Sequence, residues 1–77
     1  MPLSKSEERK LKNLGARVKE IRIEKNLTQK DLAYSIGKEY QSIYRLEAGG
    51  VNPSYIYLLE ICKGLDIDIS ELLKDIK

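Results

Sequence analysis

Residues 39 to 45 concentrate side chains able to read a hydrogen-bonding surface: Glu39, Tyr40, Gln41, Ser42, Tyr44 and Arg45. Gln41 can make two hydrogen bonds to an adenine edge, and Arg45 can do the same with guanine, because their donors and acceptors match those edges in the major groove of duplex DNA. Tyr40 and Tyr44 are open to two readings. The ring can pack on a thymine methyl and the phenol can reach a phosphate, yet tyrosines at helical spacing are often plain surface packing. A carboxylate at Glu39 suits a helix start but repels phosphate, unless it accepts from a cytosine amino group. Catalysis has far poorer material. With no histidine and one cysteine, the common metal sites and the usual acid-base and nucleophile pairs are missing, so no enzyme activity, cofactor or metal is expected.

Side chains of this kind need a helix to present them. Ile43 and Leu46 give such a helix a narrow apolar stripe and leave the rest outside. Just before it, Leu27-Thr28-Gln29-Lys30-Asp31-Leu32-Ala33-Tyr34-Ser35-Ile36-Gly37 reads as another short helix. Leu32, Ala33 and Ile36 form its buried stripe, Thr28 and Asp31 can cap its start reciprocally, and Gly37 supplies the turn that ends it. Two short helices joined by a tight glycine-containing turn make a helix-turn-helix over residues 28–47. Sequence-specific binding of double-stranded DNA, with the third helix in the major groove, is the function this pattern favours.

Seventy-seven residues make one domain with one small core. No apolar run is long enough for a signal peptide or a membrane span, so a cytoplasmic protein without a membrane partner is expected. The net charge of +2 hides a gradient. Residues 1–26 carry eight Lys/Arg against four Asp/Glu, residues 27–53 three of each, and residues 54–77 three against five. A basic first third can attract phosphates, and an acidic end is better placed away from DNA; the plainer alternative is a solvated helix face.

The fold class expected is all-α, with five helices. The first runs from about residue 6 to 25, with Leu11, Leu14, Val18 and Ile21 as its core stripe and Ser4 with Glu7 as a capping box. Gly15 leaves two options: residues 1–13 form a looser, partly helical extension, or Gly15 marks close packing against a neighbour. Ser54 caps a fourth helix, where Tyr55, Leu58, Cys62 and Leu65 follow 3, 4, 3 spacing. Asp68 and Glu71 offer a last capping box before a helix bearing Leu72, Leu73 and Ile76. On that face Cys62 reads as a small buried hydrophobe rather than a redox sensor.

The stretch from about residue 14 to 73 resembles the phage repressor and Cro type of helix-turn-helix domain, a large bacterial family also called the xenobiotic-response-element type. The matching residues are Val18-Lys19-Glu20-Ile21-Arg22, Leu27-Thr28-Gln29, Asp31-Leu32-Ala33, Ile36-Gly37, Ser42-Ile43, Leu46-Glu47 with Gly49, and Ile61-Cys62-Lys63-Gly64-Leu65. The resemblance implies a lambda-repressor-like fold and a DNA-binding transcriptional regulator. It also implies roles for single residues. Gln29, in the first turn of the second helix, becomes a phosphate anchor, a position where the helix dipole favours an anion. Lys38 and Asn52, flanking the third helix, join the DNA-contacting set. Arg22 and Glu47 match a pair that ties two helices together, although Arg22 could instead point to phosphate. Glu39 departs from the small polar residue usual at that position.

Helices four and five carry more apolar surface than one chain needs. Ile56, Leu59, Ile69, Leu72 and Ile76 are the expected homodimer surface, since an apolar excess at one end of a small domain marks a partner site and two subunits multiply DNA discrimination. Alternatively, Ile56 and Leu59 cover the first helix within one chain. A competing function on the same fold is a protein-interaction module, such as an antitoxin or anti-repressor, for which Glu39, Tyr40 and Tyr44 would also suit.

Overall fold

The computed structural model describes residues 2–76. Five helices follow one another: α1 (Lys5–Glu24), α2 (Gln29–Ser35), α3 (Tyr40–Glu47), α4 (Tyr55–Leu65) and α5 (Ile69–Leu73), with no strand among the described residues. Their starts are set locally. The Glu7 amide donates to Ser4 Oγ at 3.1 Å while the Ser4 amide donates to Glu7 Oε1 at 2.8 Å, and Thr28 and Asp31 repeat the exchange at 2.9 and 2.8 Å. Such a box satisfies two helix-end amides at once. Ser54 Oγ accepts from the Tyr57 amide at 3.0 Å. The chain leaves α2 through Gly37 at φ 69°, a left-handed conformation that glycine adopts without steric cost.

The two options for Gly15 are decided. Helix α1 is continuous from Lys5, and a Cβ on Gly15 would lie 2.5 Å from the Glu47 carbonyl oxygen and 2.8 Å from its carbon. Gly15 therefore lets the backbone of α1 meet the end of α3.

One core is built from every helix: Val18 and Ile21, Leu32 and Ala33, Ile43 and Leu46, Ile61, Cys62 and Leu65, and Leu72. Three expectations are corrected by it. Leu72 is fully buried and so belongs to the core rather than to a dimer surface; Leu73 is the α5 leucine left exposed. On α4 the inward face is Leu58, Ile61, Cys62 and Leu65, while Tyr55 is 63% exposed. That helix is apolar nearly all round, so a 3, 4, 3 series can be drawn along more than one face, and the neighbouring helices decide which is buried. The third concerns α5, where Asp68 makes no side-chain capping bond. The Glu71 amide bonds the Asp68 backbone carbonyl instead, at 3.0 Å. The other end of α5 is held from α1, where Arg17 donates to the Glu71 and Leu72 carbonyls at 2.9 and 3.3 Å.

Candidate nucleic-acid interface

The interface starts from a network that fixes α2 and α3 to α1. Arg22, almost the only charged side chain drawn into the core region, donates to Glu47 through Nε at 2.6 Å and Nη2 at 3.0 Å. Its Nη1 donates to the Leu27 carbonyl at 2.7 Å, pinning the turn that leads into α2. The two side chains are 10% and 4% exposed. Glu47 holds the Arg22 guanidinium charged, its pKa raised above the ordinary value against the opposing effect of burial. The pair is thus internal, which removes Arg22 from the residues free to meet phosphate.

Gln29 joins this network. Its Nε2 donates to Glu47 Oε1 at 3.1 Å, so its side chain is oriented by the end of α3. One of the two amide protons is used there, leaving the other available. The sequence offered no sign of this bond, because Gln29 and Glu47 are 18 positions apart.

On α3, the inward stripe is Ile43 and Leu46, and Tyr40, Gln41, Tyr44 and Arg45 are exposed, with Ser42 half-buried. No intramolecular side-chain hydrogen bond or ion pair engages Gln41, Tyr44 or Arg45 among the described residues. Glu39 occupies the N-cap position in extended backbone, yet its carboxylate makes no capping bond. Lys30, missed in the sequence, lies with Nζ 5.6 Å from the Tyr40 ring centroid, close enough for a cation–π attraction. Lys38 stands over Tyr57 of α4 at 5.7 Å. Lys38, Ser42 and Arg45 share a cleft with Val51 and Tyr57. Asn52 lies apart from them, in a hollow with Leu3, Glu7, Lys10 and Leu11 at the start of α1.

This arrangement, with two capped helices, a left-handed glycine between them and a polar face on the second, coincides with a known family. The helix-turn-helix family model matches residues 18–72. The chain belongs to the helix-turn-helix family.

Solved structures extend the likeness. The restriction-modification controller protein C.AhdI of Aeromonas hydrophila is 34% identical, with a TM-score of 0.78 over 80% of this chain and 94% of that one. The clp gene regulator ClgR of C. glutamicum is 25% identical, with a TM-score of 0.80 over 95% of this chain and 87% of that one. A third is the restriction-modification controller C.Esp1396I, solved as a tetramer with its natural 35 base-pair operator. It is 33% identical, with a TM-score of 0.73 over 84% of this chain and 96% of that one. No curated protein matches the sequence. Within the helix-turn-helix protein described here, no helix among the described residues is long and apolar enough to cross a membrane.

Of the surface expected for dimerisation, Ile56 is the most open at 65% exposed. Leu59 and Ile76 are half-buried, and Ile69 packs against the core.

Proposed function

We propose that this helix-turn-helix protein is a cytoplasmic, sequence-specific DNA-binding transcriptional regulator that acts as a homodimer on a short palindromic operator, with α3 in the major groove. The observation that carries the reading is the outer face of α3. Gln41, Tyr44 and Arg45 are exposed and free of intramolecular side-chain bonds among the described residues, on a helix held by the Arg22–Glu47–Gln29 network. A helix fixed in this way enters a groove with little left to order, so its contacts go into affinity. Gln41 reads adenine, Tyr40 and Tyr44 offer ring and hydroxyl to thymine or phosphate, and Gln29 uses its remaining amide proton on the backbone. Asn52, in its separate hollow at the start of α1, meets the backbone there. The operator complex of C.Esp1396I supports both the DNA and the oligomer.

Binding rather than catalysis also agrees with the side chains present. The single cysteine, Cys62, is buried, and burial pushes its thiol pKa up, away from the reactive thiolate. Ile56, with Leu59 beside it on α4, is the apolar surface for the second subunit. Selection of bound sequences from a random duplex pool tests the proposal. The expected product is an inverted repeat with half-sites about 10 base pairs apart, centre to centre, on one face of the duplex. Recovery of no common sequence would reject it.

A further inference from the structure

The cleft between α3 and α4 has chemistry that base reading leaves unused. Lys38, in the turn that leads into α3, and Ser42 and Arg45, three residues apart on α3, line one side, and Val51 and Tyr57 close the other around a volume of about 210 Å³. Two of these five residues are cations and none is acidic, a balance that attracts an anion. The volume admits a tetrahedral group with some of its water, since one water needs about 10 to 15 Å³ of such space. Tyr57 adds the decisive detail. Its hydroxyl is buried and has no partner among the described residues, so hydrogen bonding does not account for tyrosine there. Its ring meets the cation beside it instead, with Lys38 Nζ 5.7 Å from the centroid.

We propose that this cleft seats a backbone phosphate of the bound DNA, with Lys38 and Arg45 neutralising it, Ser42 donating a hydrogen bond and the Tyr57 ring holding Lys38 at the rim. The inference rests on the DNA-binding reading above and refines it, because it gives Arg45 to the backbone rather than to guanine. Tyr57 is a positioning residue, acting through Lys38. It also explains why the recognition helix needs α4 beside it. The α4 ring orders a long lysine before DNA arrives, which lowers the entropy cost of the contact.

Fluorescence anisotropy of a labelled duplex with the full chain, between about 50 and 200 mM salt, tests the seat. Lys38→Gln and Arg45→Gln should each reduce the slope of log affinity against log salt by about 0.9, a three- to four-fold smaller change across that range, on preferred and scrambled duplexes alike. Tyr57→Leu should weaken binding by about two- to five-fold, the value of a cation–π contact at an exposed site. Added to Lys38→Gln it should cost nothing further, because both remove the same contact. Tyr57→Phe keeps the ring and should bind as the parent does. Failure of the parent protein to bind any duplex overturns the DNA reading and the seat together. Binding by the parent with unchanged slopes in the variants overturns the seat alone, as does a loss in Arg45→Gln confined to the preferred duplex. Inorganic phosphate at matched ionic strength separates the sources. Saturable shifts of the Ser42 and Tyr57 amide resonances in the DNA-free protein, together with unchanged salt slopes on DNA in the variants, would make the free anion the occupant and overturn the assignment to DNA.

Discussion

Removal of the Glu47 carboxylate is the sharpest perturbation of the scaffold. Three donors converge on it, from Arg22 Nε, Arg22 Nη2 and Gln29 Nε2, at 2.6, 3.0 and 3.1 Å. In Glu47→Ala the Arg22 guanidinium, 10% exposed as a side chain, would keep a single bond, to the Leu27 carbonyl. An internal charge stripped of its partner costs about 3 to 5 kcal/mol, against 0 to 1 for a pair at the surface. A domain of this size has a total stability of about 4 to 12 kcal/mol at the usual 0.05 to 0.15 per residue, so the variant would be marginal. Urea unfolding followed by circular dichroism reads the loss directly. With a slope near 1 kcal/mol per molar for so small a protein, the midpoint should fall by about 3 to 5 M. The paired substitution Arg22→Met with Glu47→Leu should regain most of this stability, because an apolar pair leaves no unmatched charge. It should not regain DNA affinity, since Gln29 loses its acceptor. A loss below about 0.5 kcal/mol in Glu47→Ala would refute the reasoning, for it would show the pair to be solvated.

Other predictions follow from the caps, the close contacts and the exposed apolar face. The Asp31 and Glu7 carboxyl groups are held below their ordinary values chiefly by the backbone amides of Thr28 and Ser4. Their contribution to stability is therefore complete above the unfolded values and disappears as pH falls through the lowered folded ones. The urea midpoints of the parent and Asp31→Asn should converge as pH falls through the lowered folded value of Asp31, and a constant gap would contradict the cap. Gly15→Ala should destabilise despite alanine's better helix propensity, by about 1 to 3 kcal/mol, because the Glu47 backbone obstructs the new Cβ; thermal unfolding checks the sign. Ile56→Glu should fold normally and sediment as a monomer, whereas unchanged sedimentation as a dimer would place the interface elsewhere.

What the sequence made legible was local. The Ser4–Glu7 and Thr28–Asp31 boxes depend on residues three apart, and both form with the expected partners. Gly37 ends α2 in the conformation that its lack of a Cβ permits. The polar face of α3 was legible because Ile43 and Leu46 leave only one side to bury. Where neighbours decide, the sequence was silent or misleading. Leu72 looked like surplus apolar surface until the packing of α5 placed it in the core. Tyr55 is exposed and Ile61 is buried because α4 is apolar on several faces and its neighbours choose among them. Asp68 has the type of a capping residue, yet a five-residue helix held by Leu72 and Arg17 forms without its carboxylate. Gln29 with Glu47, and Lys38 with Tyr57, are contacts across 18 and 19 positions. No periodicity announces such contacts.

If α3 reads bases, Gln41→Ala should lose about 1 to 3 kcal/mol on a selected duplex, lose nothing on a scrambled one, and relax the preference at one position in each half-site. Equal losses on both duplexes, or none on either, would contradict it.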